Sequence, residues 1–208
     1  MEGDDSAMTV SKRLLDLVCG VLMAVFLAPV IAVIALIVLV LDGRPVFHVS
    51  ERMRSMTEGF GLIKFRTMVP SADDRGVSGG DKADRITRCG AFLRRSRLDE
   101  LPQLWNVLRG DISFIGPRPP LRDYVERFPD IYAQVLKSRP GISGLATIHF
   151  QAHEEHLLSC SRSAEETDAI YCRACIPRKA RLDLIYQAHG GICHDLALMA
   201  KTVFRRLR

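Results

Sequence analysis

The chain has 208 residues, 48% of them hydrophobic, with 29 basic against 24 acidic residues and a formal net charge of +5. That length allows one domain with a substantial core and excludes two comfortable ones. The surplus positive charge points to an anionic partner: phosphate, nucleic acid or membrane surface.

Six of the basic residues are Lys and 23 are Arg, and Arg suits planar, bidentate contact with phosphate. The six cysteines are scattered, and Cys19 lies inside an apolar run. Such usage favours reduced thiols in the cytoplasm over a disulfide framework.

Between Asp16 and Asp42 stand 25 residues without a charge, LVCGVLMAVFLAPVIAVIALIVLVL. A helix of that length covers a hydrocarbon core with some tilt, and it is too long for a signal peptide. Pro29, near its middle, removes a backbone hydrogen bond and predicts a kink or break. Two topologies stand about even on these residues: a kinked single span, and a re-entrant helix–break–helix entering and leaving by one face. Residues 1–16 carry a net charge of −2 and residues 42–70 a net charge of +2, which puts the larger C-terminal part in the cytoplasm.

Past Asp42 the chain reads as one domain without internal repeats. RPVFHV (44–49) and FGLIKFRTM (60–68) predict short strands or a strand and turn, and the polar, Gly/Asp-rich stretch 71–84 predicts a mobile surface loop. Leu101, Leu104, Trp105 and Leu108 recur as a helical stripe. Pro102 is tolerated only in a first turn, so this helix is expected to start near Asp99, with Gly110 as its stop. Residues 121–138 and 164–188 are expected to be helical. The basic tail places Leu196, Met199, Val203 and Leu207 on one side, to pack on the domain or to lie on an anionic bilayer.

The stretch RRSRLDELPQLWNVLRGDISFIGPRPP (94–120) carries the chemistry. Asp99 at a helix start is a good N-cap, yet Arg94, Arg95 and Arg97 supply more cation than a cap needs. A carboxylate among cations and helix-end dipoles is expected to stay ionised, able to act as a nucleophile or a Mg²⁺ ligand. Asp99 and Glu100 point about 100° apart on a helix, so different roles are expected of them. Arg118 sits between prolines on a rigid turn, and Lys64 and Arg66 form a second cationic pair on one face of a strand.

Two weaker signals are set aside. HEEH (153–156) has the wrong spacing for a zinc-protease helix, and Cys172 and Cys175 form a single C-x-x-C. A hydrolase of a soluble phosphorylated substrate and a nucleic-acid-binding module are the rival functions. The membrane segment speaks against the first, and the lack of aromatics interleaved with the basic residues speaks against the second.

KFRTM, RITRCGAFLRRSRLDELPQLWNVLRGDISFIGPRP and RPGISGLA, in that order, resemble the signature blocks of the bacterial sugar transferases, the monotopic phosphoglycosyl transferases. The likeness runs from about residue 11 to about 188, and PRKARLDLIY resembles the family's later segment with Lys179, Asp183 and Tyr186. The resemblance implies an α+β fold: a re-entrant membrane helix broken at Pro29 (residues 1–42) and a small, mostly helical cytoplasmic catalytic domain with short strands (43–208). It implies transfer of a sugar-1-phosphate from a UDP-sugar to polyprenyl phosphate with release of UMP. It further implies Asp99 as nucleophile, Glu100 as ligand of a Mg²⁺ cofactor, and Lys64, Arg66, Arg94, Arg118 and Asp183 in substrate or phosphate binding. The implied location is the bacterial inner membrane, facing the cytoplasm. Partners implied are the two substrates and inner-membrane lipids, with a second copy of the chain and downstream glycosyltransferases as candidates and no nucleic acid. The chain departs from the family pattern at Ala28 before Pro29, at HVSERMRSMTEGFG after PVF, and at TIHFQAHEEHLLSC after GLA.

Overall fold

The computed structural model of the chain describes residues 9–71 and 76–206. Its first element, α1 (Val10–Leu41), is a single helix of 32 residues with Thr9 as N-cap and Pro29 inside it. The backbone stays helical through Pro29 rather than stopping there. The proline forfeits one hydrogen bond, and the rest of the helix's bonds keep it helical on either side. A run of Leu, Val, Ala and Ile with no polar face gives one side of α1 to the protein and leaves Leu22, Val25, Phe26, Val33, Leu36 and Val40 exposed.

Both ends of α1 are fastened to the same globular body. At the N-terminal end, Lys12 Nζ donates to the Ile115 carbonyl at 2.9 Å and to Tyr186 Oη at 3.1 Å. Arg13 forks onto the Val107 and Leu108 carbonyls at 2.7 Å each. Asp16 Oδ1 accepts from Ser113 Oγ at 3.0 Å and from the Phe114 amide at 3.2 Å. At the other end Ile34 and Val38 pack with Phe65 and Leu93, and Asp42 Oδ2 accepts from Thr87 Oγ1 at 2.8 Å.

Next come β1 (Phe47–Met53) and β2 (Gly59–Phe65), an antiparallel hairpin in the register His48↔Lys64 and Arg52↔Phe60. The strands expected here are present. A 3₁₀ turn (Gly80–Arg85) leads into α2 (Arg88–Ser96), and a second 3₁₀ turn (Leu98–Glu100) leads into α3 (Gln103–Arg109). The 71–84 stretch is thus partly structured: Lys82 is buried and Asp81 Oδ1 accepts from Thr167 Oγ1 at 2.7 Å, while residues 72–75 lie outside the described part. Gly110 ends α3 with φ +89°, a conformation suited to glycine.

Asn106, fully buried on α3, locks that helix to the hairpin. Its Oδ1 accepts from the Ile63 amide at 3.1 Å and its Nδ2 donates to the Gly61 carbonyl at 2.8 Å. Trp105, expected on the packed stripe, is instead 57% exposed. Buried Gln103, Leu104, Asn106 and Val107 show that α3 packs through a face rotated away from it.

β3 (Ser113–Ile115) and β4 (Gly141–Ser143) pair in parallel, joined through α4 (Arg122–Arg127) and α5 (Pro129–Val135). Gly116 and Gly141 allow the close approach, since a Cβ on Gly116 would meet the Arg139 carbonyl at 2.2 Å. The helical reading of 121–138 holds, with a division at Phe128 where Pro129 opens α5. α6 (Leu145–Ser159), α7 (Ala164–Ile170), a π turn (Tyr171–Cys175), α8 (Ile176–His189) and α9 (Ile192–Arg206) complete the chain. α9 packs through Leu198 and a 2.8 Å Ser143–Thr202 hydroxyl contact, while Leu196, Val203 and Phe204 are exposed. The predicted tail stripe therefore faces largely outward, and Leu207 lies outside the described residues.

Candidate active site

Arg97 ends α2 in the left-handed region, at φ 59°. That reversal turns the Leu98–Glu100 3₁₀ turn inward and buries both carboxylates, each 6% exposed. The N-cap position of α3 is occupied by Pro102, without a side-chain cap. Asp99 is therefore not the helix cap that its spacing suggested. The 3₁₀ turn intervenes.

Glu100 Oε1 accepts from Lys64 Nζ at 3.0 Å and from Arg118 Nη2 at 2.8 Å, with Arg97 Nη1 at 3.6 Å. Burial alone pushes its carboxyl up, but Arg118, Lys64 and Arg97 together hold it well below the usual carboxylate range. Arg118 is raised in turn, chiefly by Glu100. Burial pushes the Lys64 ammonium down to about 8, against the opposing pull of Glu100.

Asp99 differs from its neighbour. Its Oδ1 is buried and has no hydrogen-bond partner. Burial raises its pKa, Lys64 opposes and Glu100 adds to the rise. Burial thus outweighs the nearby cations in setting the direction of the Asp99 shift.

Two adjoining cavities of about 420 and 770 Å³ share Asp99, Arg52, Lys64, Arg94, Gly76 and Ser78 in their walls. The smaller extends past Arg97 and Arg118 to Gln151, Glu154, Tyr171 and Lys179. The larger opens along the hairpin, where Pro45, Phe47, Val49, Phe65 and Val69 add apolar wall. Arg94 Nη2 reaches Ser78 Oγ at 3.3 Å.

Of the predicted residues, Asp99, Glu100, Lys64, Arg94 and Arg118 come together. Arg66 reaches the edge of the larger cavity, but its guanidinium is bound to the Asp42, Gly43 and Arg44 carbonyls at the end of α1. Asp183 lines neither cavity. It is buried on α8 one turn beyond Lys179, and burial raises it to about 7 against the pull of Lys179. Tyr186 Oη donates to Asp195 Oδ1 at 2.6 Å and helps anchor α1 instead.

Two residues not assigned a site role from sequence also stand here. Lys179 Nζ donates to Glu154 Oε1 at 2.8 Å and to Tyr171 Oη at 3.2 Å, an ion pair in the cavity wall. Arg52 shares the Lys64 face of the hairpin, a placement that strand alternation from Lys64 makes readable.

Among the described residues, no group of three or more His, Cys, Asp or Glu could hold a metal ion. His153 contacts Arg178 and Cys172 contacts Arg127. Glu100 Oε1 is already engaged by two cations, and the unpartnered Asp99 Oδ1 is the nearest further oxygen in sequence. Mg²⁺-type ions are commonly held by one or two carboxylates together with substrate phosphates, and Glu100 and Asp99 are the carboxylates present here.

The chain thus joins a buried acid pair, walled by guanidinium groups, to one helix long and apolar enough to cross a membrane. The sequence profile of the bacterial sugar transferases matches residues 7–208. The chain belongs to that family. An uncharacterized sugar transferase, EpsL, of Bacillus subtilis is 38% identical over 138 residues, covering 66% of this chain and 68% of the relative. A UDP-glucose:undecaprenyl-phosphate glucose-1-phosphate transferase of Caulobacter vibrioides is 37% identical over 147 residues, covering 68% and 55%. An undecaprenyl-phosphate galactose phosphotransferase of Salmonella typhimurium is 35% identical over 150 residues, covering 64% of this chain and 31% of its own length.

Proposed function

We propose that this chain transfers a sugar-1-phosphate from a UDP-sugar to a polyprenyl phosphate such as undecaprenyl phosphate and releases UMP. The observation that carries the reading is Asp99: a buried carboxylate with an unpartnered oxygen, at the junction of two cation-walled cavities. The names of the relatives agree with the substrate classes.

Asp99 attacks the phosphorus that bears the sugar. The Oδ–P bond forms, the P–O bond of the pyrophosphate breaks, and UMP leaves with that electron pair. A phosphate oxygen of the lipid then attacks the same phosphorus and frees the Asp99 carboxylate. Arg118, Lys64 and Arg94 receive the charge on the phosphate oxygens. Glu100 would hold a Mg²⁺ ion, which would supply further charge neutralisation at the phosphate oxygens.

Topology belongs to the same proposal. Lys12, Arg13 and Asp16 at one end of α1 and Asp42 and Gly43 at the other bind one globular body. That supports a re-entrant α1 bent about Pro29, with both ends and the site on the cytoplasmic side of the inner membrane.

The test uses UDP-sugars without acceptor. A UMP burst near one per enzyme and a mass gain of one sugar phosphate on the Asp99 peptide are expected. Asp99→Asn removes both and keeps the fold. An Asn variant with turnover comparable to wild type would falsify the nucleophile assignment.

A further inference from the structure

We propose that Arg52 is a phosphate-binding residue shared by both substrates, engaging the donor's pyrophosphate and the acceptor's phosphate in turn where the two cavities meet. This rests on the transfer reading above. Four observations carry it.

Arg52 lines both cavities, as do Asp99, Lys64 and Arg94. Its Nε is buried without a hydrogen-bond partner, and among the described residues no carboxylate lies within ion-pair distance of its guanidinium. The neighbouring cations are differently placed: Lys64 and Arg118 pair with Glu100, Arg97 with Glu100 and Glu155, and Lys179 with Glu154. Arg52 is also disfavoured where it stands, because burial and the Arg118 charge lower it to about 10, still cationic at neutral pH.

A half-buried guanidinium without an ion-pair partner is costly to keep unless a bound anion offsets it. The guanidinium fork matches phosphate oxygens two at a time. Since the cavities touch only around Asp99 and its neighbours, a group present in both walls meets whichever phosphate faces Asp99. In a two-step transfer the two phosphates occupy that place successively, so one cation serves both.

The experiment measures binding by calorimetry on the full chain in detergent micelles, with UDP and a short-chain polyprenyl phosphate as separate probes. Arg52→Gln should weaken each by about tenfold to a hundredfold, the range for one charge-assisted hydrogen bond. Arg52→Lys should recover part of the affinity for both. Arg54→Gln, whose parent pairs with Glu58 in the exposed hairpin turn, should leave both unchanged. Unchanged affinity in Arg52→Gln, or loss for one probe alone, overturns the shared role. Equal melting and affinity losses in the Gln and Lys variants mark Arg52 as structural and also overturn it. If both probes bind in an Arg52-dependent way but no UMP is released from any UDP-sugar, the shared site stands and the transfer reading falls.

Discussion

Asp99 and Glu100 are adjacent in sequence, equally buried and opposite in character. Two direct cation contacts dominate Glu100, whereas burial dominates Asp99. Neighbouring acids pushed apart in this way are suited to different tasks. The Glu100 contribution to stability is fully present above the ordinary carboxylate range and is lost as pH falls below it. Lys64 works in the other direction. Its folded pKa, about 8, lies below the ordinary lysine value of 10.5, so between these values the unfolded chain binds the extra proton and stability rises with pH. Affinity for anions follows the charge itself. We expect the KM for the UDP-sugar to rise as pH passes about 8, and Lys64→Arg to remove that inflection because Arg stays charged; a wild-type KM flat to pH 9.5 would exclude this role. The metal proposal is tested by chelation rather than by Glu100→Gln, which would leave Lys64 and Arg118 without a counter-charge and lower the melting temperature as well. EDTA should abolish UMP release and Mg²⁺ should restore it. Full activity in excess EDTA would remove Mg²⁺ from the scheme.

At the scale of elements, the sequence was informative wherever local chemistry decides the outcome. The hairpin, the stop at Gly110 and the apolar helix were legible because alternation, a left-handed glycine and an uncharged run each leave a local trace. α6 was not, since Leu145, Ile148, Phe150, Leu157 and Leu158 mark no single helical stripe, and it meets different neighbours along its length. The tail and Trp105 failed for a different reason. An apolar stripe shows that a helix has a face to cover, not whether protein or lipid covers it. Of the predicted stripe, Met199 packs against the core beside Leu198, while Leu196 and Val203 remain open. In the site, the acid pair and Arg118 were legible because the cation-rich context is contiguous. The Arg66 contacts with the carbonyls ending α1 were not legible because those partners are 22 to 24 residues away. The helix start expected near Asp99 falls at Gln103 instead, because the intervening 3₁₀ turn depends on a left-handed Arg97 that no residue preference announces.

For the whole molecule, the question is on which side of the bilayer each end of α1 lies. A straight 32-residue helix would be about 48 Å long, enough to carry one end across the membrane. Spanning would tear one set of polar anchors from the domain. Lys12, Arg13 and Asp16 would be lost from Ile115, Val107 and Ser113, or Asp42 from Thr87, leaving charged groups to find new partners at an interface. Re-entrance keeps both sets and leaves the exposed apolar side of α1 in lipid. On a background without native cysteines, Thr9→Cys and Thr57→Cys should both resist a membrane-impermeant thiol reagent in intact cells. Both should react after the inner membrane is opened. Pro29→Ala restores the missing backbone hydrogen bond and favours a straight helix, so it should raise Thr9→Cys labelling in intact cells while Thr57→Cys stays protected. Labelling of Thr9→Cys in the parent with Pro29 intact would establish a span and overturn the re-entrant placement, without touching the assignment of Asp99.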